Sequence, residues 1–508
     1  MIYIKRLFLL SAAILFSQTV QLHASDPYTQ AWLKWDAGNY TEALEEFLEI
    51  LNGPDADLYF KDIATLTGEL YIVNEISEDG RNPVFSPDNR HFSWEEESGG
   101  EIRTRIARVS DSGIEHLHTL DGHDFHFSPD GRSAVLARTE ITPKNEELQQ
   151  ELSEAFSARD RAAIVRARNE LQHEEALNTT LHRVNLESGE TSALNTANLM
   201  VRTPHFDSDG TLWFSGIDPE NPVRSDIYRM KPDDEAPVQV TEEAGFYDAP
   251  LPVANREKIL FTSWPESPFP SPPGADRHSF ERPAEIVLYD LAIGEINRWE
   301  GRAPVLSASG NRLAYMKPGD DESAIYSVGI SPDAGDAEQM VASTDPIQHP
   351  ALSPDGSILA YMLQEGISWD IHLLHTEDGS HDRLTYDIQH ELFPHFLDNE
   401  IVLAKMGESR HRRSHIYNVE TKEFYRLFHN NSVRTVSMEN DWVPSPDGRN
   451  MLVVAERDGN TISPEQGVYL VRIGERISND SLISRLQANL ESERALRAKA
   501  EEMYAPIH

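Results

Sequence analysis

The 508-residue chain contains no cysteine. Disulfides, thiolate metal sites, a cysteine nucleophile and a lipid-modified N-terminal cysteine are therefore excluded. Long apolar runs are scarce too. Leu7 to Phe16 is one, preceded by Lys5 and Arg6 and followed by Leu22-His23-Ala24. That order reads as a secretory signal over residues 1–24, cleaved before Ser25. The run is too short for a membrane span, so no stable insertion is expected once it is removed. A Gram-negative cell would send such a chain to the periplasm or beyond. Positive charge is in deficit, with 45 basic against 85 acidic residues and a formal charge of −40. Such a field disfavours nucleic acid and anionic membrane surfaces. It suits divalent cations, basic partners or plain solubility. Common catalytic words are missing as well: there is no GxSxG elbow, no HExxH and no phosphate loop.

What is present is a short phrase that keeps returning. It reads FSPDN from Phe85, FSPDG from Phe127, LSPDG from Leu352 and PSPDG from Pro444. Weaker copies start at Phe206, Leu306 and Phe396, with a poor one at Leu251. Pro presets a turn, Asp bonds the amides that follow it, and Gly takes a left-handed backbone. Apolar strand-like runs follow each copy, as in Ser357-Ile-Leu-Ala-Tyr-Met362, and a second run comes roughly fifteen residues later, as in Ile371-His-Leu-Leu374. Four short strands per unit of ~45 residues describe a propeller blade. The chain is expected to be all-β: an eight-bladed propeller over 67–477, or seven-bladed if the copy at 251 is not a blade. A strand over Thr67–Ile76 is placed to close the ring by joining the last blade, which removes unpaired sheet edges.

Helical patterns flank and interrupt the repeats. Residues 25–66 carry apolar side chains at three- and four-residue steps. An insert over 141–178 is rich in helix formers, with a break at Ser157-Ala-Arg-Asp160, and reads as a hairpin inside the second blade. A Pro-rich loop covers 264–283. A last helix over 478–508 aligns Leu482, Leu486 and Leu490 on one face, with Ser478 or Asn479 as its cap. It is placed to lie across the disc or to lead to a following domain.

In a propeller, the strand leading into each phrase is innermost and begins near the central channel. The residues just before the phrases therefore mark a channel mouth. The polar ones are Arg81, His123, Asp124, Arg202, Asp248, Arg302, His349, His390, Glu391 and Asp441. Arginines and histidines at one mouth suit an anionic or sugar-like ligand. His123, His349 and His390 beside an acid can alternatively hold a divalent metal ion. Paired charges lining a water-filled channel are the simplest alternative. The repeated Asp88, Asp130, Asp209, Asp355 and Asp447 are expected to serve their own turns. His205 and His395, next to the phrases, are expected to pack between blades.

Over roughly residues 80–475 the phrase and its strands resemble the WD40-like repeat of the TolB family. Trp32 to Leu51 resembles one tetratricopeptide unit. The TolB resemblance implies a periplasmic or secreted propeller that binds an envelope protein or a small polar ligand without catalysis and without a cofactor. Similar propellers precede the catalytic domain of dipeptidyl-peptidase-like enzymes, which implies a gating or docking alternative. Oligogalacturonate lyase is a related propeller with a histidine-bound metal, which implies a channel lyase or hydrolase as the other.

Overall fold

The computed structural model describes residues 27–503, apart from 111–112, 254–257, 266–282, 320–321, 331–335, 387–388, 408–412, 428–441 and 457–465. The signal segment, almost all of the Pro-rich loop, and Asp441 lie outside the described residues. Among the described residues no helix is long and apolar enough to cross a membrane.

Among the described residues, thirty-two strands fall into six four-stranded sheets and one eight-stranded sheet. The large sheet is two blades joined by a single parallel pair, Ser225 with Phe246. The chain is therefore an eight-bladed β-propeller. The first strands of the blades are Arg81–Phe85, His123–Phe127, Met200–Phe206, Phe246–Pro252, Arg302–Leu306, Ile347–Leu352, Glu391–Phe396 and Trp442–Pro444. The poor copy near 251 is a blade, but its phrase starts one residue later than the sequence suggests. Val253 N–H donates to the Lys258 carbonyl at 3.0 Å, as Ser86 N–H does to His91 at 2.9 Å, so Pro252 is the counterpart of Phe85. Tyr71–Ser77 is the outermost strand of the eighth sheet, beside Gln466–Arg476. The N-terminal strand thus completes the last blade.

The phrase works as a closed hydrogen-bonded loop. Ser86 Oγ donates to Asp88 Oδ1 at 2.6 Å and accepts the His91 N–H at 2.9 Å, and Asp88 also accepts the Arg90 N–H at 3.1 Å. Ser353 with Asp355 and Ser445 with Asp447 repeat the pattern at 2.8 and 2.6 Å. The serine is buried, so its hydroxyl must find partners, and the turn supplies both. Neighbouring turns also touch. Asn399 Oδ1 accepts the Asp355 N–H at 3.2 Å, and Asn89 Oδ1 accepts the Asp447 N–H at 3.0 Å, joining the last blade to the first.

Side chains between adjacent blades form the core. Between blades one and two lie Ile106, Phe125, Phe127, Leu136 and Val184. Between six and seven lie Ile371, Leu373, Val402, Ala404 and Tyr417. Phe92, Trp94, Leu452, Val468 and Leu470 seal the eighth blade to the first. The interior is thus a circle of blade-to-blade seams.

Six helices complete the described structure: α1 (Pro27–Asp36), α2 (Tyr40–Leu51), α3 (Ala56–Leu66), α4 (Pro143–Ala158), α5 (Arg161–Leu177) and α6 (Asn479–Met503). The insert α4–α5 sits between the second and third strands of blade two. Thr142 and Asn145 form a reciprocal cap with Pro143 at the first turn, and Asp160 caps α5. Its break falls at Arg159, whose φ of 55° ends α4 in a left-handed residue.

The molecule divides into two compact units, and the blades make one of them. Residues 27–73, 425–427 and 472–503 make the other. Within it, α6 packs on α2 and buries Leu482, Leu486 and Leu490. Arg485 Nη1 lies 2.9 Å from the buried Glu69, and Asn479 Nδ2 donates to the Leu51 carbonyl at 3.2 Å. The C-terminal helix therefore completes the N-terminal helical group.

Candidate functional site

The first strands share a defect. In the seven blades where the position is described, pairing with the second strand slips by the same step, between residues four and one before the phrase. The residue three before the phrase has positive φ each time: Asn82, Asp124, Thr203, Ala249, Ala303, His349 and Phe393. A bulge leaves one residue unpaired and re-aims its side chain. Asn and Asp accept a left-handed backbone readily, whereas a β-branched Thr does so at a cost. Proline follows in six blades, at Pro83, Pro204, Pro250, Pro304, Pro350 and Pro394. A bulge is where a strand tolerates the missing N–H.

Glu95 ties the first two blades together at this level. It lies on the second strand of blade one and is 4% exposed. One carboxylate oxygen accepts the main-chain N–H of Asp124 at 2.7 Å, and the other accepts Asn82 Nδ2 at 2.8 Å. Arg81 lies 3.7 Å from Glu95 and 2.9 Å from Glu97. With Asp79 and Gly80, these side chains line a cleft of about 400 Å³. His126 Nε2 is 3.0 Å from Asp124 Oδ1. Burial opposes ionisation of Asp124, but the hydrogen bond and charge of His126, with the charge of His123, hold its carboxyl below the usual range.

Asp248 plays the same part between blades three and four. It is buried and accepts Ser215 Oγ at 2.7 Å and Thr203 Oγ1 at 3.2 Å. Burial lowers the Arg202 guanidinium from its usual value, and the Asp248 charge opposes this. Arg302 and His349 are exposed. His349 meets Phe393 edge-on, with ring centres 4.6 Å apart.

The seventh blade departs from the expected register. His390 and Glu391 stand two residues too early, and the residues equivalent to Arg81 and Asn82 are Leu392 and Phe393. His390 Nδ1 accepts the Trp369 N–H at 3.2 Å, and Glu391 is buried. Lys405, also buried, sets its ammonium 5.6 Å from the Phe393 ring centre and 4.9 Å from that of Trp442. Glu95, Phe393, Lys405 and Trp442 were missed from the sequence. Phe393 could have been found by counting back from the phrase to the residue before proline. Glu95 and Lys405 lie on second strands, outside any such count.

His123, His349 and His390 belong to different blades and have different neighbours. His123 Nε2 is 2.9 Å from Thr139 Oγ1. Among the described residues no three His, Asp or Glu side chains are placed to hold a metal ion. The donor set does not fit one. His205 and His395 are exposed, so they do not pack between blades as expected. The phrase places them one residue before a buried position, on the other side of the strand.

At the other end of the first strands, a cavity of about 630 Å³ opens between blades three and four. Asp207, Asp209, Trp213, Arg229 and Lys231 line it. Asp207 occupies the place of the usual turn serine. Burial and the hydrogen-bonded Asp209 raise its carboxyl to about 6. Its bond to Asp207, with one from Thr211, lowers Asp209 to about 2.

Comparison with known proteins finds similarity to β-propellers among solved structures, at low identity. No family model matches the chain, and no curated protein matches it. Among solved structures, the β-propeller domain of the Trilobed protease from Pyrococcus furiosus is similar over 70% of this chain and 98% of that one, at 12% identity and TM-score 0.42. Porphyromonas gingivalis dipeptidyl peptidase 4 is similar over 83% of this chain at 12% identity and TM-score 0.49, and the match spans 62% of that enzyme. TolB from Acinetobacter baumannii is similar over 58% of this chain and 78% of its own, at 16% identity and TM-score 0.33. These likenesses concern fold alone.

Proposed function

We propose that the chain is a secreted or periplasmic propeller with a TolB-like repeat, acting as a non-catalytic binding module for a protein segment or small polar ligand at its channel mouth. The observation that carries this reading is the ring of bulged first strands. Backbone held in sparsely populated conformations persists only where surrounding structure over-determines it, and such positions cluster at ligand sites. Here one recurs in blade after blade and turns the side chains of Asp124, Thr203, His349 and Phe393 out of the ladder. The acids beside them, Glu95 and Asp248, are spent on hydrogen bonds between blades. That leaves a rigid polar rim. A metal-assisted lyase would need the three histidines to converge, and they do not.

The test uses the full chain in its own cell. Photo-crosslinking residues at positions 302 and 349 should yield a discrete adduct, while one at exposed Ser208, at the other end of the strands, should not. Intact mass of the envelope-fraction protein should start at Ser25. Metal-dependent cleavage of an acidic polysaccharide, lost in His349→Ala, would replace the binding reading with the lyase reading. A cytoplasmic, uncleaved chain would remove the secreted part of it.

A further inference from the structure

The tip of the α4–α5 hairpin, unlike the hairpin as a whole, carries net positive charge. Between Phe156 and Arg168 stand Arg159, Arg161, Arg166 and Arg168 against the single acid Asp160. The Asp160 carboxylate is occupied in capping α5, accepting the N–H groups of Ala162 and Ala163 at 3.0 and 3.1 Å. All four arginines are exposed, and among the described residues none of them is ion-paired. Elsewhere Arg105, Arg224, Arg298 and Arg383 are each held by carboxylates. A chain of net charge −40 has abundant acids for pairing. These four are left without one.

Apolar surface sits in the same place. Phe156 is 51% exposed and Val165 57% exposed. The Arg168 guanidinium lies 5.9 Å from the Phe156 ring centre. The hairpin's own core needs neither residue, because Leu148, Ala155 and Ala167 fill it. Its base, in contrast, is tied down. Lys144 pairs with Glu174 at 2.7 Å, and Ala176 packs beside Met200, Ile217 and Phe246. The base also reaches the channel mouth, through Thr179 Oγ1 at 2.7 Å from Thr139 Oγ1 and on to His123.

We propose that the tip of this hairpin docks an acidic protein segment bearing an apolar anchor, held by the four arginines around Phe156 and Val165. Arginine and aromatic side chains together are the composition of interface hot spots. Charge complementarity selects the partner: an acidic segment is attracted locally and its apolar residue covers Phe156. An extended polyanion such as a lipid plane or a duplex would meet the remaining acidic surface as well, which repels it. The proposal deepens the binding-module reading by naming one partner surface, and it stands on observations separate from the mouth.

The experiment titrates the full chain into a labelled peptide of about twelve Glu and Asp residues containing one Phe and one Leu, read by fluorescence anisotropy. Binding is expected at low salt and should weaken with added salt. The triple reversal Arg161→Glu, Arg166→Glu, Arg168→Glu should lower affinity by about tenfold or more, whereas the triple lysine variant should retain most of it. Phe156→Ala should weaken binding several-fold, as should a peptide lacking its two apolar residues. Unchanged far-ultraviolet circular dichroism shows that the reversal variant is folded. Equal binding by wild type and reversal variant overturns the proposal. So does preferential binding to phosphatidylglycerol vesicles that the same reversal abolishes, which would make the tip a membrane contact. Loss of the peptide with the crosslink at position 302 intact refutes only the tip. The converse result refutes only the mouth.

Discussion

The side chain of Glu95 on blade one accepts the main-chain N–H of Asp124 on blade two at 2.7 Å, across 29 residues of sequence. Its second oxygen holds Asn82, whose backbone has the same left-handed twist as Asp124. One buried carboxylate thus fixes two consecutive bulges.

Removing that carboxylate should loosen both. Glu95→Ala is expected to cost about 2–3 kcal/mol, the scale of lost hydrogen bonds to a buried charged group. Glu95→Gln keeps one acceptor and should cost less, about 1 kcal/mol. Urea unfolding midpoints at constant slope measure both. Equal midpoints for all three proteins would show that the rim is held by packing alone.

A matched pair of glycines tests the ring of touching turns. Gly131 and Gly99 have nearly equal φ, 64° and 65°. A Cβ on Gly131 would lie 2.2 Å from Asp88 Oδ2 in the neighbouring turn, while one on Gly99 meets nothing within 4 Å. Gly99→Ala should cost about 1–2 kcal/mol from backbone strain alone. Gly131→Ala should cost clearly more, because it also pushes Asp88 from Ser86. Thermal midpoints of the two variants give the difference.

Asp207 makes stability depend on pH in a defined window. Its folded value of about 6 lies above the ordinary 3.8, so the folded chain binds this proton more tightly than the unfolded chain. Its contribution is full below about 4 and is lost as pH rises to about 6. Asp209, lowered to about 2, acts in the opposite sense and only below the ordinary value. Histidines held below their usual value and the raised Glu175 also titrate near this window, so the Asp207 contribution is the difference between wild type and a variant lacking that carboxyl. Asp207→Asn, which keeps an acceptor for Trp213 Nε1 at 2.9 Å, should remove it. Stability curves of both proteins across that window, parallel rather than divergent, would contradict the assignment.

The helical unit holds a half-buried ion pair. Glu69 is 7% exposed and is held by Arg485 at 2.9 Å and Asn489 at 3.0 Å. Arg485→Ala leaves the acid with one neutral partner and should cost about 2 kcal/mol. Arg485→Lys should recover part of that loss. The readout is the rate of protease cleavage within α6, which should rise in the alanine variant while cleavage within the blades stays unchanged.

Much of this architecture was legible before any coordinates. The turn phrase marks where strands meet because Ser, Asp and Gly close that loop with their own atoms. The apolar runs after each phrase mark second strands for the same local reason. The insert and its break at Arg159 followed from helix propensity and capping. Even the bulges had a trace, in the proline two residues before six of the phrases. His390 and Glu391 are a conspicuous polar pair, but the count from the phrase leads to Leu392 and Phe393.

Local chemistry thus dictated which residues turn, which extend and which coil, since those preferences act within a few positions along the chain. It could not dictate who meets whom. Glu95 with Asp124, Lys405 between Phe393 and Trp442, and α6 with the N-terminal helices are neighbours only after the repeats have curved. Long-range burial selects such pairs, and no short stretch of sequence records them.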